Sequence, residues 1–212
     1  MSSKQKLLGN VPYGLTFVVS APAGTGKTTL VGMLTKEFDS VKMSISCTTR
    51  RPRHHEVDGV DYHFVTKEQF AEKLAAGEFL EHATIFGYEY GTSKAHIEEL
   101  KKKGKHVVLV IDTQGAMQLI GKIDAVFIFI LPPSKETLAQ RLIGRATEKK
   151  ESIEQRLEWA EKEIACARLY DYQIINDDLA TAYQVLRSIV IAEEHKIYSP
   201  TEDPLVKCKQ KT

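Results

Sequence analysis

The chain has 212 residues, 42% apolar side chains and a formal net charge of +1, which suits one domain with a buried core, or one domain with insertions. The near-neutral charge disfavours a protein whose main task is to wrap nucleic acid. No apolar run approaches the roughly 18 residues of a membrane-spanning helix, and residues 1–10 lack the apolar core of a signal peptide. Three scattered cysteines form no metal-ligand spacing and no obvious disulfide framework, so the sequence predicts a protein of the reducing cytoplasm.

Strands and helices alternate along the chain. Apolar runs and period-two alternation predict strands at residues 15–20, 41–46, 61–65, 78–85, 106–111, 125–131 and 172–175. Capping residues and amphipathic spacing predict helices at residues 27–38, 66–77, 93–103, 113–121, 135–143, 152–167 and 178–194. Residues 47–59 are predicted to be neither core strand nor core helix, and residues 87–91 are predicted to form a turn.

The stretch between the first strand and the first helix is typical of a P-loop, which binds nucleoside triphosphates. Gly24 and Gly26 allow main-chain N–H groups to approach an anion closely. Lys27 can reach the β- and γ-phosphates, and the hydroxyl group of Thr28 can bind Mg²⁺. Ala21 stands where the motif usually begins with glycine. The predicted ATP-binding residues of this stretch are Ala21, Pro22, Ala23, Gly24, Thr25, Gly26, Lys27, Thr28 and Thr29.

The order of elements also indicates where a ligand should bind. Strands that alternate with helices predict right-handed crossovers and a parallel sheet, and such sheets bind ligands beyond the carboxyl ends of their strands. The P-loop and Asp112, which follows residues 106–111, should therefore lie at the same edge. Asp112 could bind Mg²⁺ or its waters, or accept a hydrogen bond from a substrate. An aspartate at such a position also commonly caps the next helix.

A second group of basic residues suits a phosphate monoester. Arg50 and Arg53 lie on either side of Pro52, which stiffens the turn, and two guanidinium groups held in this way can grip one phosphate. A solvated basic loop is the alternative interpretation. The run Thr-Thr-Arg-Arg-Pro-Arg at residues 48–53, followed by Asp-Gly-Val-Asp-Tyr-His-Phe at residues 58–64, resembles the monophosphate-binding segment of guanylate kinases.

The resemblance extends over about residues 12–194. It includes Gly-Glu-Phe-Leu-Glu at 77–81, Tyr-Gly-Thr at 90–92, Ile-Asp-Thr-Gln-Gly at 111–115, Pro-Pro-Ser at 132–134, Arg-Leu-Ile-Gly-Arg at 141–145 and Ile-Asn-Asp-Asp-Leu at 175–179. It implies an α/β P-loop fold of three layers with a central parallel sheet, a mixed α/β insertion that binds the nucleoside monophosphate, and a helical lid. The expected divisions are a flexible arm at 1–11, a core at 12–46, 96–133 and 161–194, a GMP-binding insertion at 47–95, a lid at 134–160 and a polar tail at 195–212.

The resemblance further implies Mg²⁺-dependent transfer of a phosphoryl group from ATP to GMP, and to dGMP, with stabilisation by arginines. The residues expected to bind GMP are Ser46, Arg50, Arg53, Tyr62, Glu81, Tyr90, Thr92 and Asp112. The residues expected to stabilise the transferring group are Lys27, Arg53, Arg141, Arg145 and Arg156. Asn176 would lie near the adenine of ATP, Thr28 would bind Mg²⁺, and Asp112 could bind it through water.

The chemistry of Glu81 agrees with this expectation. Guanine presents N1–H and N2–H₂ donors, and a carboxylate offers a matching pair of acceptors. Adenine has no donors there, so discrimination could be on the order of 10⁴. The chain departs from the family at Thr92, where serine is common, and at His54 and His55, where Pro-Gly or Ala-Gly is common.

Two other functions remain open from the sequence alone. One is a kinase on the same fold that acts on a sugar bisphosphate, and the other is a guanylate-kinase-like module that binds phosphopeptides without catalysis. Glu81, Tyr90 and Asp112 argue against the first, and the intact Gly-Lys-Thr argues against the second. The expected partners are small nucleotides, with no nucleic acid and no membrane, and the expected state is a monomer or a weak homodimer.

Overall fold

The structure is a computed structural model that describes residues 6–143 and 150–196, without the side chains of residues 142, 143 and 150–156. Its strands are β1 (Thr16–Ser20), β2 (Val41–Met43), β3 (Cys47–Thr48), β4 (His63–Phe64), β5 (Phe79–Ile85), β6 (Tyr88–Ser93), β7 (His106–Val110), β8 (Val126–Leu131) and β9 (Tyr172–Ile175). Its helices are α1 (Lys27–Glu37), α2 (Lys67–Ala75), α3 (Lys94–Lys102), α4 (Thr113–Leu119), α5 (Lys135–Ile143), α6 (Lys150–Ala165) and α7 (Leu179–Glu194). None of these helices is both long enough and apolar enough to cross a membrane.

The central sheet has five strands in the order β2-β7-β1-β8-β9, and every neighbouring pair is parallel. Because side chains alternate between the faces of a strand, β1 contributes to two cores. Phe17 packs on one face with Leu30 of α1 and Leu186 of α7. Val18 packs on the other face with Ile97 of α3. Helices therefore cover both faces of the sheet, which confirms the predicted three-layer α/β architecture with a central parallel sheet.

A second sheet of four strands, in the order β4-β3-β6-β5, lies in the segment predicted as the insertion. The predicted strand at 41–46 is too long, since β2 ends at Met43 and the chain then leaves the central sheet. Residues 47–59 were predicted to contain no core strand, and none of them joins the central sheet, but β3 pairs in the second sheet, in parallel with β4 and antiparallel with β6. The short β3 and β4 carry too few residues for an alternation pattern to reveal their pairing.

The predicted turn at residues 87–91 is also too long, because the turn comprises residues 86 and 87, and Tyr88–Ser93 is a strand that pairs antiparallel with β5. The sequence prediction treated Gly91 as a turn residue. In the structure Gly91 lies inside β6, where an added Cβ would come within 2.9 Å of the Phe79 ring. This glycine is required for close packing and not for a change in chain direction.

The amino-terminal residues differ from the expected flexible arm over the part that the structure describes. Leu8 is 4% exposed and belongs to the core cluster that contains Phe17. The main-chain N–H groups of Gly9 and Asn10 donate to the carboxylate of Glu194 at 2.6 and 3.0 Å. Residues 6–10 are therefore anchored to the end of α7, while residues 1–5 and the predicted tail beyond residue 196 lie outside the described residues.

Candidate active site

The P-loop is built by two glycines with positive φ and by internal hydrogen bonds. Gly24 and Gly26 have φ values of 88° and 91°, which side chains rarely allow. Thr25 folds back, since its hydroxyl donates to the carbonyl oxygen of Pro22 at 2.8 Å. Gly26 is the residue that precedes α1, and Thr28 is exposed in the first turn of that helix. Unpaired N–H groups of this turn and the positive end of the helix dipole suit an anion.

Lys27 lies across the carboxyl ends of two central strands. Its ammonium group donates to the carbonyl oxygen of Ala21, just after β1, and to that of Ile111, just after β7, at 3.3 Å each. Burial lowers the pKa of Lys27, and the nearby carboxyl groups of Glu163 and Asp112 oppose that effect. The ammonium group is thus held at the edge where the sequence predicted the ligand.

One cleft of about 770 Å³ brings the two predicted phosphate sites together. Lys27 and Thr28 lie at one side of the cleft, and its other walls come from the second sheet and the carboxyl end of β7. Of the remaining predicted site residues, seven line it: Ala23, Ser46, Arg53, Tyr62, Glu81, Tyr90 and Asp112. This volume lies in the range of small-molecule sites, so one ligand-binding cleft contains residues from both predicted phosphate sites.

Arg50 is fixed by three kinds of partner. Its guanidinium group donates to Glu56 at 2.8 Å, to the hydroxyl group of Tyr90 at 3.3 Å and to the main-chain oxygen of Arg51 at 2.9 Å. The guanidinium carbon lies 5.4 Å from the centre of the Tyr62 ring. Its side chain is only 13% exposed. Hydrogen bonding to Glu56 is the main cause of the raised pKa of Arg50, so this group keeps its charge and its orientation.

The side chain of Arg53 is exposed, in contrast to that of Arg50. Its side chain is 68% exposed, and its closest ion-pair contact is 3.8 Å to Glu56. Glu56 also accepts from the main-chain N–H of Arg53 at 2.8 Å, so one carboxylate contacts both Arg50 and Arg53. Sequence reasoning did not identify Glu56 as a site residue. An acidic side chain inside a run of basic residues was the signal that could have identified it.

Glu81 forms a buried acceptor at the floor of the cleft. It is 4% exposed, and the hydroxyl group of Thr92, which is fully buried, donates to its Oε1. Burial raises the pKa of Glu81 to about 7, the hydrogen bond from Thr92 lowers it, and Asp112 raises it further. A Cβ at Gly115 would come within 2.3 Å of Oε2, so only glycine leaves space for this carboxylate. Gly115 was quoted in the sequence motif, but this steric role could not be predicted.

Asp112 combines the two interpretations that the sequence left open. Its Oδ1 accepts from the main-chain N–H of Gly115 at 3.0 Å, which caps α4, and its Oδ2 accepts from Gln114 at 3.3 Å. The same side chain lines the cleft beside Lys27. Burial raises the pKa of Asp112, and the hydrogen bond from Gly115 is the strongest opposing effect. The cap fixes the carboxylate at the edge of the site.

Asn176 and Arg141 lie next to the P-loop. The side-chain amide of Asn176 is buried and donates to the carbonyl oxygen of Thr25 at 2.7 Å, and a Cβ at Gly26 would come within 2.6 Å of the same nitrogen. Arg141 donates to the main-chain oxygen of Asn176 at 3.0 Å. Asn176 therefore supports the loop directly, a contact between residues distant in sequence that no motif predicts. Arg145 and the side chain of Arg156 lie outside the described residues.

The sequence did not predict one further carboxylate at this site, that of Glu163. Glu163 lies on α6, is 6% exposed and lines a cavity of about 170 Å³ together with Ala21, Lys27 and Asp112. Burial raises its pKa to about 7, whereas Lys27 lowers it. The available signal was its spacing, because Glu163 follows the buried Ala160 by three residues and shares its face of the helix.

The donor set fits a magnesium ion held mainly by nucleotide phosphates. Oxygen ligands suit Mg²⁺, and the hydroxyl group of Thr28 and the carboxylate of Asp112 supply them in the same cleft. Among the described residues no group of three or more histidine, cysteine or acidic side chains could hold a metal ion by itself. Mg²⁺ typically binds through one or two protein groups together with substrate phosphates, which is the arrangement that this site allows.

Comparison with known proteins places these features in a family. Residues 13–193 match the family model described as guanylate kinase. A guanylate kinase of Protochlamydia amoebophila is 57% identical over 189 residues, which cover 89% of this chain and 96% of that protein. One of Chlamydia trachomatis serovar D is 52% identical over 182 residues, which cover 85% and 89%. The crystal structure of a guanylate kinase from Anaplasma phagocytophilum, 34% identical, matches with a TM-score of 0.72 over 87% of this chain and 88% of that one. The chain belongs to the guanylate kinase family.

Proposed function

We propose that this chain transfers the γ-phosphoryl group of ATP to the phosphate group of GMP and so forms ADP and GDP. The observation that carries the proposal is one cleft lined by Lys27 and Thr28 of the P-loop, by Tyr90 and Glu81 of the second sheet, and by Arg53 of the segment between β3 and β4. Two phosphate-binding groups of residues in one cleft allow the two phosphates to meet in line, which is the main requirement of phosphoryl transfer.

The ATP side would use main-chain groups and one cation. The N–H groups of the loop that contains Gly24 and Gly26 would surround the phosphates, and Lys27 would leave its two carbonyl acceptors to reach the β- and γ-phosphates. Thr28 would help to hold Mg²⁺, which neutralises charge on the phosphates when it is bound. Asn176 would act through Thr25, by keeping the loop in shape, in addition to its expected place near adenine.

The GMP side would use side chains. Arg50 is already oriented by Glu56 and Tyr90, while the exposed Arg53 can close on the same phosphate. Glu81 would accept hydrogen bonds from N1–H and N2–H₂ of guanine, and these donors would stabilise its ionised form. Ser46, Tyr62, Thr92 and Asp112 would complete this site.

The transfer itself needs positive charge and exclusion of water more than it needs a base. Lys27 and Arg53 would approach the reacting phosphoryl group from two sides, and Arg141, Arg145 and Arg156 would join them from the lid. We propose that residues 47–95 and 134–160 close over a core formed by 12–46, 96–133 and 161–194. Such closure would limit hydrolysis of ATP by water.

Several finer points belong to the same proposal. The substrates would include dGMP, the protein would act as a monomer or a weak homodimer, and its partners would be nucleotides. Cys47 and Cys166 are both free thiols, and their state supports the expectation of a reducing compartment such as the cytoplasm.

The proposal is tested by a coupled assay of ADP release with Mg-ATP and each of GMP, AMP, CMP, UMP and dTMP. We expect GMP to exceed AMP in kcat/KM by roughly 10³ or more, because adenine leaves Glu81 unpaired. Lys27→Ala should lower turnover of GMP by at least about 10². The matched control is Lys36→Ala, since Lys36 is exposed in the last turn of the same helix. Faster turnover of AMP or UMP than of GMP would overturn the proposal.

A further inference from the structure

Glu163 is a buried carboxylate inside a site built for anions. It lies on α6 and faces the P-loop across the cavity that it shares with Ala21, Lys27 and Asp112. Thr113, the first residue of α4, lies close enough to this carboxyl group to lower its pKa through the main-chain N–H and the hydroxyl group. Glu163 therefore places α6 next to the start of α4, at the edge of the sheet where Lys27 also lies.

A carboxylate in this position has an electrostatic cost once phosphate is present. Like charges in a poorly solvated site repel, and phosphate oxygens would bring further negative charge next to Glu163 and Asp112. When no nucleotide is bound, the negative charge of Glu163 has a different effect. Among the described residues, the Lys27 ammonium group has two hydrogen-bond acceptors, both neutral, at 3.3 Å each, so the nearby carboxyl groups supply its opposing charge.

We propose that Glu163 is a positioning residue whose negative charge holds Lys27 at the back of the P-loop, so that phosphate must compete with Glu163 for the ammonium group. Glu163 thereby weakens binding of the nucleotide at the P-loop and favours release of the product from it. The inference relies on the proposed function only for the identity of that nucleotide.

The chain contains a convenient reporter for this test. Trp159 is the single tryptophan of the sequence. It lies on α6 one turn before Glu163, is 40% exposed and lines the same cavity. Its fluorescence should change when a nucleotide occupies the P-loop, so binding can be measured in the full chain without a label.

The experiment compares Glu163→Gln with wild type by titration of Trp159 fluorescence with ATP, and by calorimetry with GMP. Both are done without Mg²⁺, at about pH 8, where the carboxyl group with its raised pKa is ionised. We expect ATP to bind roughly three- to tenfold more tightly to the variant, because one opposing charge is gone. The affinity for GMP should stay unchanged, which also shows that the variant is folded.

Two control variants distinguish the effect of the charge of Glu163 from the effect of its structural contacts. Glu163→Asp keeps the charge and should keep an affinity for ATP close to that of wild type. Glu158→Gln removes an exposed carboxylate of the same helix and should change neither affinity. Unchanged or weaker binding of ATP by Glu163→Gln, with or without loss of GMP binding, would mean that Glu163 only anchors α6 and would overturn the inference. If wild type bound neither nucleotide, the proposed function would fail together with it.

Discussion

Glu81→Gln should increase stability and destroy specificity at once. Glu81 is almost fully buried, and burial raises its pKa from 4.5 to about 7. A carboxyl group with a higher pKa in the folded than in the unfolded state binds its proton more tightly when folded. It therefore destabilises the fold progressively as the pH rises from the unfolded value to the folded value.

The size of the effect on stability follows from the two pKa values. The difference between 4.5 and about 7 corresponds to about 3 kcal/mol of unfolding free energy at pH values above the folded pKa. Glutamine has the same shape, carries no charge and can still accept from Thr92. We expect the nucleotide-free Glu81→Gln variant to be more stable than wild type by up to about 3 kcal/mol at pH 8, and by almost nothing below about pH 4.5.

The effect on activity should have the opposite sign. A glutamine amide offers one acceptor and one donor, so a donor would face one of the two guanine donors. Loss of a charge-assisted hydrogen bond, together with an unpaired buried donor, should lower kcat/KM for GMP by roughly 10² to 10³.

Urea unfolding at several pH values and the coupled assay with GMP measure the two effects. Glu78→Gln is the matched control, since Glu78 is half exposed and pairs with Lys73 at the surface, where such pairs contribute little. A Glu81→Gln variant that was less stable than wild type at pH 8 would refute the argument from burial. Unchanged turnover of GMP would refute the assignment of Glu81 to guanine.

Three further predictions test other parts of the molecule. Arg50→Lys should raise KM for GMP by roughly tenfold or more in steady-state kinetics, because a single ammonium group cannot replace the oriented guanidinium fork, and an unchanged KM would contradict this. Asn176→Ala leaves the Thr25 carbonyl unpaired, so it should lower the free energy of unfolding in urea by about 1–3 kcal/mol and raise KM for ATP. If neither quantity changed, the supporting role of Asn176 would be contradicted. Glu194→Gln should cost about 1–3 kcal/mol near pH 7. Burial raises the pKa of Glu194, but its hydrogen bonds outweigh burial, so the pKa lies below its ordinary value. Wild type should therefore lose its extra stability over Glu194→Gln as the pH falls below about 4.5. A stability difference that stayed constant with pH would count against the argument.

Local patterns predicted the central sheet well because its strands are apolar and its turns contain specific residues. The run Val-Val-Leu-Val at residues 107–110 is fully or largely buried, and it becomes the second strand from one edge of the parallel sheet as its composition predicts. The P-loop was predicted for a similar reason, since Gly24, Gly26 and Lys27 are required by backbone geometry and charge, which leave a fixed pattern in the sequence.

Interactions between distant residues could not be predicted in the same way. The buried pair of His106 and Glu194 joins residues 88 positions apart, and the His106 ring also accepts from the main-chain N–H of Leu15. That bond requires an unprotonated Nδ1, so a neutral ring can donate from Nε2 to Glu194. Nothing in the local sequence of a strand or of a helix end indicates such a partner. The anchoring of residues 9 and 10 to Glu194 was missed for the same reason.

The two phosphate sites are built from different chemical groups, so different substitutions impair each of them. The P-loop uses main-chain N–H groups, which substitutions other than proline leave in place, so it is most sensitive to changes at Lys27 and to loss of the conformation that Gly26 and Asn176 help to maintain. The opposite site depends on guanidinium groups, and Glu56 contacts both arginines, through the guanidinium group of Arg50 and the main-chain N–H of Arg53. Removal of that carboxylate should therefore disturb the site as strongly as removal of an arginine, although Glu56 itself would touch no phosphate. The sequence motif identifies groups that contact a ligand, whereas the structure identifies the groups that hold those contacts in place.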